Sequence, residues 1–371
     1  MLYALVIGAG IHGLTFAIEL AKRGVKVTIL EKQTNFLLGA SSGTHNRAHL
    51  GYHYPRSLTT AKECLDGYRY FIENYPQALY CPEKSYYLVE NNSLVNTHEY
   101  KEFCLQANLD FQMEWPDESF VIKDSLQSSF MVKEPCFNLG ILKDYFTNEI
   151  IRLGISINFG FMLKNVKIMS PRELEITNQR GERMNFKSDI VINATYTATN
   201  NIQKIFGSSE KLTKYHYHLT EVVVAESGMN IPALTVMDGP FVTILPYARN
   251  DILPYARNDS TTRKYLIYDV KNSVVNKKTG LIYEDFEKKE SNWPKMIEHG
   301  AKYFPFIKSM KYCNSLWANR PVPADITNDS RNTRIIKHDC MEGFYSILEG
   351  KFISAPLIAV QLVDQIVKDP E

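Results

Sequence analysis

The chain has 371 residues, 44% of them hydrophobic, which is enough for a large core divided over about two domains. Its formal net charge is +1 at pH 7, with no basic block or acidic tail, so the composition favours neither a nucleic-acid partner nor an anionic membrane surface. The apolar runs are far shorter than a membrane span, and the first predicted strand leaves no room for a signal peptide. Six scattered cysteines without a CxxC pair argue for reduced thiols. We therefore expect a cytoplasmic protein with no membrane span.

The first elements predicted are a strand, a glycine turn, a helix and a second strand, all within residues 1–32. Tyr3 to Ile7 are apolar enough for a buried strand, and GxGxxG follows at Gly8, Gly10 and Gly13. Apolar residues then recur at the spacing of one helix face, at Ile11, Leu14, Ala17, Ile18 and Ala21. The second strand alternates and ends at Glu31. This context predicts a dinucleotide site, with an ordinary βαβ unit as the alternative.

Each part of this motif has a physical role toward a dinucleotide. Gly8 permits the tight turn, Gly10 lets the backbone approach a pyrophosphate, and Gly13 lets the helix pack against the sheet. The N–H groups at the helix start, around Ile11 and His12, favour phosphate. The Glu31 carboxylate can accept hydrogen bonds from a ribose hydroxyl and would repel a 2′-phosphate.

The segment after the second strand is a loop, NFLLGASSGTHNRAHLGYHYPRS, followed by a helix predicted from about Thr59 to Tyr75. A nicotinamide-type Rossmann domain would continue with another crossover helix and strand instead. The loop resembles the flavin-contacting loop of the D-amino-acid oxidase superfamily of FAD-dependent oxidoreductases. That superfamily includes glycine oxidase, sarcosine oxidase, L-2-hydroxyglutarate dehydrogenase and glycerol-3-phosphate dehydrogenase.

Three later segments resemble the same superfamily in the same order. SDIVINATYTATN resembles the strand end that backs the FAD pyrophosphate at Ala194 and Thr195, with Tyr196 replacing the usual glycine. WANRPVPAD resembles the Gly-Leu-Arg-Pro segment, with Arg320 as its arginine and Asn319 where leucine is commoner. GFYSILEGKFISAPLIAVQLVDQIV resembles the C-terminal glycine turn and helix, with Glu349 at the second glycine position ahead of Gly350.

The resemblance implies an α/β protein with a discontinuous, Rossmann-like FAD-binding domain at residues 1–80, 140–208 and 320–371. The substrate domain, α+β and built on an antiparallel sheet, would be inserted at 81–139 and 209–319. The β-branched and aromatic content of 215–270 independently favours such a sheet. ILPYARND occurs twice, at 244–251 and 252–259, which we interpret as a local duplication without chemistry.

The resemblance also implies which residues bind FAD. Ser41, Ser42, Thr44 and Arg47 can donate to the pyrophosphate or the flavin edge, although Ser and Thr also cap loops. The N-terminus of the last helix can stabilise reduced flavin. The predicted cofactor contacts are Gly8, Gly10, Ile11, His12, Gly13, Glu31, Lys32, Ser41, Ser42, Thr44, Arg47, Ala48, Val166, Ala194, Thr195, Gly350, Lys351, Phe352, Ile353 and Ser354.

The substrate residues follow from chemistry and resemblance together. Arg320 offers a planar fork that matches a carboxylate, and the alternative is a structural arginine paired with Asp325 or a carbonyl. His49 matches the histidine beside the flavin in the hydroxyacid dehydrogenases and could take a heteroatom proton. His53 and Tyr54 are predicted neighbours of the substrate. A metal site at His45, His49 and His53 lacks a completing ligand set, so we predict no metal.

These observations predict an FAD-dependent oxidoreductase that oxidises a C–N or C–O bond of a small, carboxylate-bearing substrate by hydride transfer to flavin N5. Amine oxidation is favoured, with 2-hydroxyacid dehydrogenation as the alternative. A non-catalytic flavin-binding protein is the alternative of another class. The expected partners are the small-molecule substrate and oxygen or another electron acceptor, and the oligomeric state is left open.

Overall fold

The computed structural model describes residues 1–247, 262–287, 290–325, 332–348 and 350–368. The first half of the chain forms β1 (Tyr3–Ile7), α1 (Ile11–Lys22), β2 (Lys26–Glu31), α2 (Leu58–Asn74), β3 (Leu79–Tyr80), β4 (Ser85–Glu90), α3 (Thr97–Gln106), β5 (Gln112–Met113), β6 (Leu126–Val132), β7 (Cys136–Phe137), α4 (Leu139–Arg152), β8 (Ser156–Phe159), β9 (Leu163–Ser170), β10 (Glu173–Asn178) and β11 (Arg183–Lys187). The second half forms β12 (Ile190–Asn193), α5 (Thr199–Ile205), β13 (Tyr215–Ser227), β14 (Ala233–Met237), β15 (Val242–Pro246), β16 (Arg263–Asp269), β17 (Val274–Gly280), α6 (Trp293–Gly300), β18 (Lys311–Pro323), β19 (Arg334–Lys337), β20 (Phe344–Leu348) and α7 (Ala355–Lys368).

The first sheet has six strands in the order β19-β20-β12-β1-β2-β8. All neighbours pair in parallel except β19, which is antiparallel to β20. Because side chains alternate along a strand, β1 is buried on both faces. Ala4 and Val6 pack in one core with α1 and α7, whereas Leu5 and Ile7 pack in another with the three-stranded sheet β9–β11.

The second sheet has nine strands in the order β17-β13-β16-β15-β14-β4-β6-β5, with β18 also paired to β13. Its pairs are antiparallel apart from β14 with β4. The long β13–β18 pair sets His218 opposite Arg320. This α/β architecture, a parallel sheet beside a large antiparallel one, is the predicted fold class.

The strands of the two sheets fall in different predicted domains, but the exact boundaries stay a proposal. β18 runs from Lys311 to Pro323 without interruption, so it crosses the proposed boundary at residue 320. Helix α4 begins at Leu139, where the Asn138 side chain caps its first turn by accepting from Gly140 and Ile141 N–H.

The duplicated octapeptide begins in β15 and ends before β16, the antiparallel neighbour of β15. β15 includes Ile244 to Pro246 from the first copy, and residues 248–261 lie outside the described residues. Within the described ranges, no helix combines the length and apolar character needed to cross a membrane.

Candidate active site

The glycine turn between β1 and α1 leaves one open position and two crowded ones. Gly8 has φ +97°, and a Cβ there would lie 2.8 Å from the Ala194 carbonyl oxygen. A Cβ on Gly13 would lie 1.9 Å from the Gly8 oxygen, so neither position admits a side chain without a backbone shift. At Gly10 the nearest atom to such a Cβ is Ser41 Oγ at 3.5 Å. Gly8 and Gly13 therefore allow α1 to pack closely against the strands, and Gly10 leaves the backbone accessible to a ligand.

The groups around this turn fit the ADP half of FAD. The N-cap residue Gly10 has no side chain to cap α1, and the Ile11 N–H donates to Ser41 Oγ at 3.2 Å. Glu31 accepts the Ala9 N–H on Oε2 at 2.6 Å and the Gln33 N–H on Oε1 at 2.8 Å. Each carboxylate oxygen has further acceptor capacity, which suits a ribose hydroxyl.

His12 lies beside the C-terminal glycine turn. A Cβ on Gly350, whose φ is +93°, would lie 2.9 Å from His12 Nε2. Burial lowers the pKa of His12 to about 4, so the ring is neutral at physiological pH. Its buried Nδ1 has no hydrogen-bond partner among the described residues. An unsatisfied buried polar atom beside a helix N-terminus is consistent with a missing polar ligand.

Other predicted cofactor residues have local partners. Ser42 Oγ donates to the Gly39 carbonyl at 2.9 Å, and Thr44 Oγ1 donates to Asn46 Oδ1 at 3.1 Å. Thr195 Oγ1 donates to Asn193 Oδ1 at 2.7 Å. Val166, on β9, packs against the core that contains Leu30, and Lys32 Nζ lies 5.9 Å from the Tyr283 ring. Their contacts with FAD stay predictions.

In the segment from Gly350 to Ser354, some side chains pack in the hydrophobic core and others lie near the candidate site. Phe352 stacks on Phe137 with ring centroids 4.2 Å apart, and Ile353 is buried in the same core. Ser354 Oγ donates to Glu63 Oε1 at 3.3 Å. Lys351 instead places Nζ 4.7 Å from the Tyr54 ring centroid. Any contact of Phe352 and Ile353 with the flavin would therefore come from their backbone.

Three histidines form a row along the loop. The ring centroids of His45 and His49 lie 5.4 Å apart, and those of His49 and His53 lie 5.7 Å apart. Tyr54 lies 5.6 Å from His49, and Tyr268 of β16 lies 5.9 Å from His45. Among the described residues, no group of three His, Cys, Asp or Glu side chains is arranged to hold a metal ion.

Burial is the largest cause that lowers the pKa of both His45 and His49 well below the usual range, and the positive charge of Arg47 adds to it. Both rings are therefore neutral at physiological pH. The buried Nδ1 atom of each has no hydrogen-bond partner among the described residues. A neutral imidazole with an open nitrogen can accept a proton or a hydrogen bond from a ligand.

Arg320 is linked to the row of histidines by tyrosine side chains. Its Nη1 donates to the Tyr268 hydroxyl at 2.9 Å, and the guanidinium also donates to the Tyr196 hydroxyl. Tyr268 is the largest cause that raises the Arg320 pKa, with Tyr196 and Tyr54 adding to it. Within the described ranges Arg320 forms no ion pair with a carboxylate, so the alternative pairing with Asp325 is not what holds it.

Tyr196 occupies the position where the superfamily usually has glycine. Its φ is +56°, in the left-handed region that glycine adopts without strain. The chain thus adopts a backbone conformation here that glycine favours, and it gains a phenol that bonds Arg320. We call His45, His49, His53, Tyr54, Tyr196, Tyr268 and Arg320 the histidine–arginine cluster.

Arg47, which the sequence predicts as a donor to the pyrophosphate or the flavin edge, has buried protein partners in the structure, and its contact with FAD stays a prediction. Its guanidinium forms an ion pair with Glu134 at 3.0 Å, and the two side chains are 2% and 3% exposed. It also donates to the Tyr87 hydroxyl and to Thr235 Oγ1 on the second sheet. This placement argues for a link between the loop and that sheet. Neighbouring Ala48 is fully buried, and its N–H donates to the Pro135 carbonyl at 3.0 Å.

Sequence reasoning did not identify Glu134, Tyr87 or Tyr268. Glu134 and Tyr87 are 87 and 40 residues from Arg47 along the chain, so no local motif joins them. The one sequence feature that could have pointed to Glu134 is Arg47, the single charged residue in its stretch of the loop, because an arginine that is buried requires a partner for its charge.

Comparisons with known proteins show the family of this chain. The family described as DAO, FAD dependent oxidoreductase, matches residues 4–364. The FAD-dependent monooxygenase kojA of Aspergillus flavus is 27% identical over 254 residues, which cover 65% of this chain and 57% of that protein, so the chain matches well under two thirds of its length. The mitochondrial L-2-hydroxyglutarate dehydrogenase of Arabidopsis thaliana is 40% identical over 72 residues, 18% of this chain and 15% of that protein.

The fold has solved counterparts as well. L-alpha-glycerophosphate oxidase from Mycoplasma pneumoniae, with FAD bound, aligns with a TM-score of 0.75 over 100% of this chain and 97% of that one, at 14% identity. This likeness shows a common fold with a flavoprotein.

Proposed function

The chain belongs to the DAO family of FAD-dependent oxidoreductases, and on that premise we propose that it oxidises the C–N bond of a small, carboxylate-bearing amine or amino acid. The observation that supports this proposal most directly is the histidine–arginine cluster. In it, the Arg320 guanidinium has no carboxylate partner among the described residues and bonds the Tyr268 hydroxyl. The Tyr268 ring in turn contacts the neutral imidazole of His45. A half-buried cation of this kind is suited to an anionic ligand.

Bound FAD supplies the two-electron acceptor. The residues that would hold it are the glycine turn, Glu31, Ser41 and the Gly350 turn. Arg320 would hold the substrate carboxylate through its fork, with Tyr196 and Tyr268 fixing the guanidinium plane. The oxidation removes a hydride from carbon and a proton from the amine, and His49 would accept that proton at Nδ1, which has no hydrogen-bond partner among the described residues. The product would be an imine, which water hydrolyses.

A second candidate is 2-hydroxyacid dehydrogenation. The matched stretch with L-2-hydroxyglutarate dehydrogenase favours it, as does the identity of His49, since an imidazole can take a proton from a hydroxyl as well. Oxidation of the C–O bond would give a ketone by the same residues. Reoxidation by oxygen or by another acceptor is open in both cases.

The test is an anaerobic screen of the purified FAD protein against amino acids, N-methyl amino acids, hydroxyacids and sugar derivatives. Loss of the oxidised flavin absorbance reports turnover without requiring the natural electron acceptor. We expect bleaching by one or more carboxylate-bearing amines. Bleaching by hydroxyacids alone would select the second candidate, and a flavin that stays oxidised throughout would support a non-catalytic flavin-binding protein.

A further inference from the structure

We propose that Glu134 is a positioning residue that, with Arg47, holds His49 in place from the second sheet. The inference rests on the proposed proton transfer to His49. Glu134 lies between β6 and β7, outside the segments in which the sequence placed site residues.

The backbone around His49 runs antiparallel to the segment that contains Glu134. The Ala48 N–H donates to the Pro135 carbonyl at 3.0 Å, and the Phe137 N–H donates to the Asn46 carbonyl at 2.8 Å. Arg47 and Cys136 face each other in an isolated antiparallel bridge. The pairing fixes the loop up to the residue before His49.

The Glu134 carboxylate then holds the loop on both sides of His49. Oε1 accepts the Leu50 N–H at 3.0 Å, which anchors the residue after His49. Oε2 accepts from Arg47 Nη1 at 3.0 Å, two residues before His49, and from the Tyr87 hydroxyl at 2.5 Å. One carboxylate thus brackets the histidine, and Tyr87 attaches that carboxylate to β4 of the nine-stranded sheet.

A buried ion pair of this kind is better suited to fixing geometry than to adding stability. Taking both charges out of water offsets most of their attraction, and an apolar pair of similar volume often packs as well. What an apolar pair cannot provide is the directional hydrogen bonding to Leu50, Tyr87 and Thr235. Catalytic side chains require placement within fractions of an ångström, and such supporting hydrogen bonds provide it.

The test combines Glu134→Gln with His49→Ala in a double-mutant cycle on the FAD-loaded protein. Rates of anaerobic flavin reduction are measured with a substrate identified by the screen. Loss of a supporting hydrogen-bonded group typically costs about 10- to 100-fold, so we expect Glu134→Gln to slow reduction by that factor at saturating substrate with little change in KM. In the His49→Ala background the same substitution should change the rate less than about twofold, because the positioned group is already gone.

The matched control is Glu221→Gln, another buried glutamate, whose partners Ser291, Ser315 and Asn292 lie outside residues 46–50. It should leave the reduction rate unchanged. Equal slowing by Glu134→Gln in both backgrounds, or no slowing in the wild-type background, would overturn the proposal. If Glu134→Gln does not fold, Tyr87→Phe removes one donor to the same carboxylate and replaces it in the cycle.

Hydrogen exchange separates failure of this proposal from failure of the proposed function. In the FAD-loaded protein, Glu134→Gln should speed amide exchange of residues 46–50, and Glu221→Gln should not. If exchange accelerates but His49→Ala reduces its flavin at the wild-type rate, His49 is no proton acceptor and the proposed proton transfer fails. If exchange at 46–50 is unchanged, Glu134 does not hold the loop, whatever the reaction.

Discussion

The Nη1 of Arg320 donates to the Tyr268 hydroxyl at 2.9 Å, a hydrogen bond between side chains of two different strands of the second sheet. β18, which carries Arg320, and β16, which carries Tyr268, do not pair directly; both pair with β13. The same tyrosine ring lies 5.9 Å from His45. The Tyr268 side chain therefore contacts both Arg320, the predicted carboxylate-binding residue, and the row of histidines that contains the predicted proton acceptor His49.

Tyr268→Phe should weaken substrate binding more than turnover. Removing the hydroxyl frees one guanidinium donor and lets the fork rotate, and a lost hydrogen bond to a charged group costs about 1.5–3 kcal/mol. We expect KM for the carboxylate substrate to rise about tenfold with kcat changed less, as steady-state kinetics would measure. Tyr312→Phe, at an exposed tyrosine on β18 whose hydroxyl bonds Ser315, is the control and should leave both constants unchanged.

The glycine turn predicts opposite results at two positions. Gly13→Ala should destabilise the fold, because its Cβ would lie 1.9 Å from the Gly8 oxygen. Gly10→Ala should fold normally, because its Cβ meets only an ordinary contact at 3.5 Å, but should weaken FAD binding by obstructing the approach to bare backbone. Thermal unfolding of the apoprotein and FAD titration measure the two effects. Similar stabilities of the two variants would contradict the assignment.

His12 gives the apoprotein a defined pH dependence. Its pKa is about 4 in the folded chain, against 6.5 for an ordinary histidine, so the unfolded state binds more protons between these values. The free energy of unfolding should therefore fall as pH drops through this window, by about 2 kcal/mol from this residue between pH 7 and pH 5. Denaturant unfolding of wild type and His12→Gln measures it. The variant should show a shallower dependence, and parallel curves would refute the effect.

His49→Ala should slow flavin reduction while FAD remains bound. The neutral ring of the wild type is the predicted acceptor of the heteroatom proton, and general-base catalysis typically contributes about 10²- to 10⁴-fold. Stopped-flow absorbance with substrate in excess measures the rate, and the flavin spectrum reports cofactor retention. His216→Ala, where the ring bonds Thr279 Oγ1 at 2.7 Å near the start of β13, should reduce at the wild-type rate. Unchanged reduction in His49→Ala would assign that ring to packing.

Local patterns predicted those parts of the site that depend on neighbouring residues in sequence. The glycine spacing, the helix after it and the acid at Glu31 form one unit, so the turn could be derived before any fold was known. The register that sets Arg320 opposite His218 depends on pairing between strands about a hundred residues apart, which no local pattern encodes. Arg47 illustrates the limit: the sequence predicts it as a donor to FAD, and its pairing with Glu134 is visible only in the tertiary structure.

The most direct test of the central claim compares anaerobic flavin reduction in wild type, Arg320→Ala and Arg320→Lys across concentrations of a carboxylate-bearing amine and its carboxamide. The guanidinium fork predicts that Arg320→Ala raises the substrate concentration for half-maximal reduction by about 100-fold or more with the carboxylate. Arg320→Lys should recover only part of this, since an ammonium lacks the planar fork, and the carboxamide should distinguish the three proteins little. Equal half-maximal concentrations for all three proteins with the carboxylate, or no bleaching of wild type by any carboxylate substrate, would contradict the account.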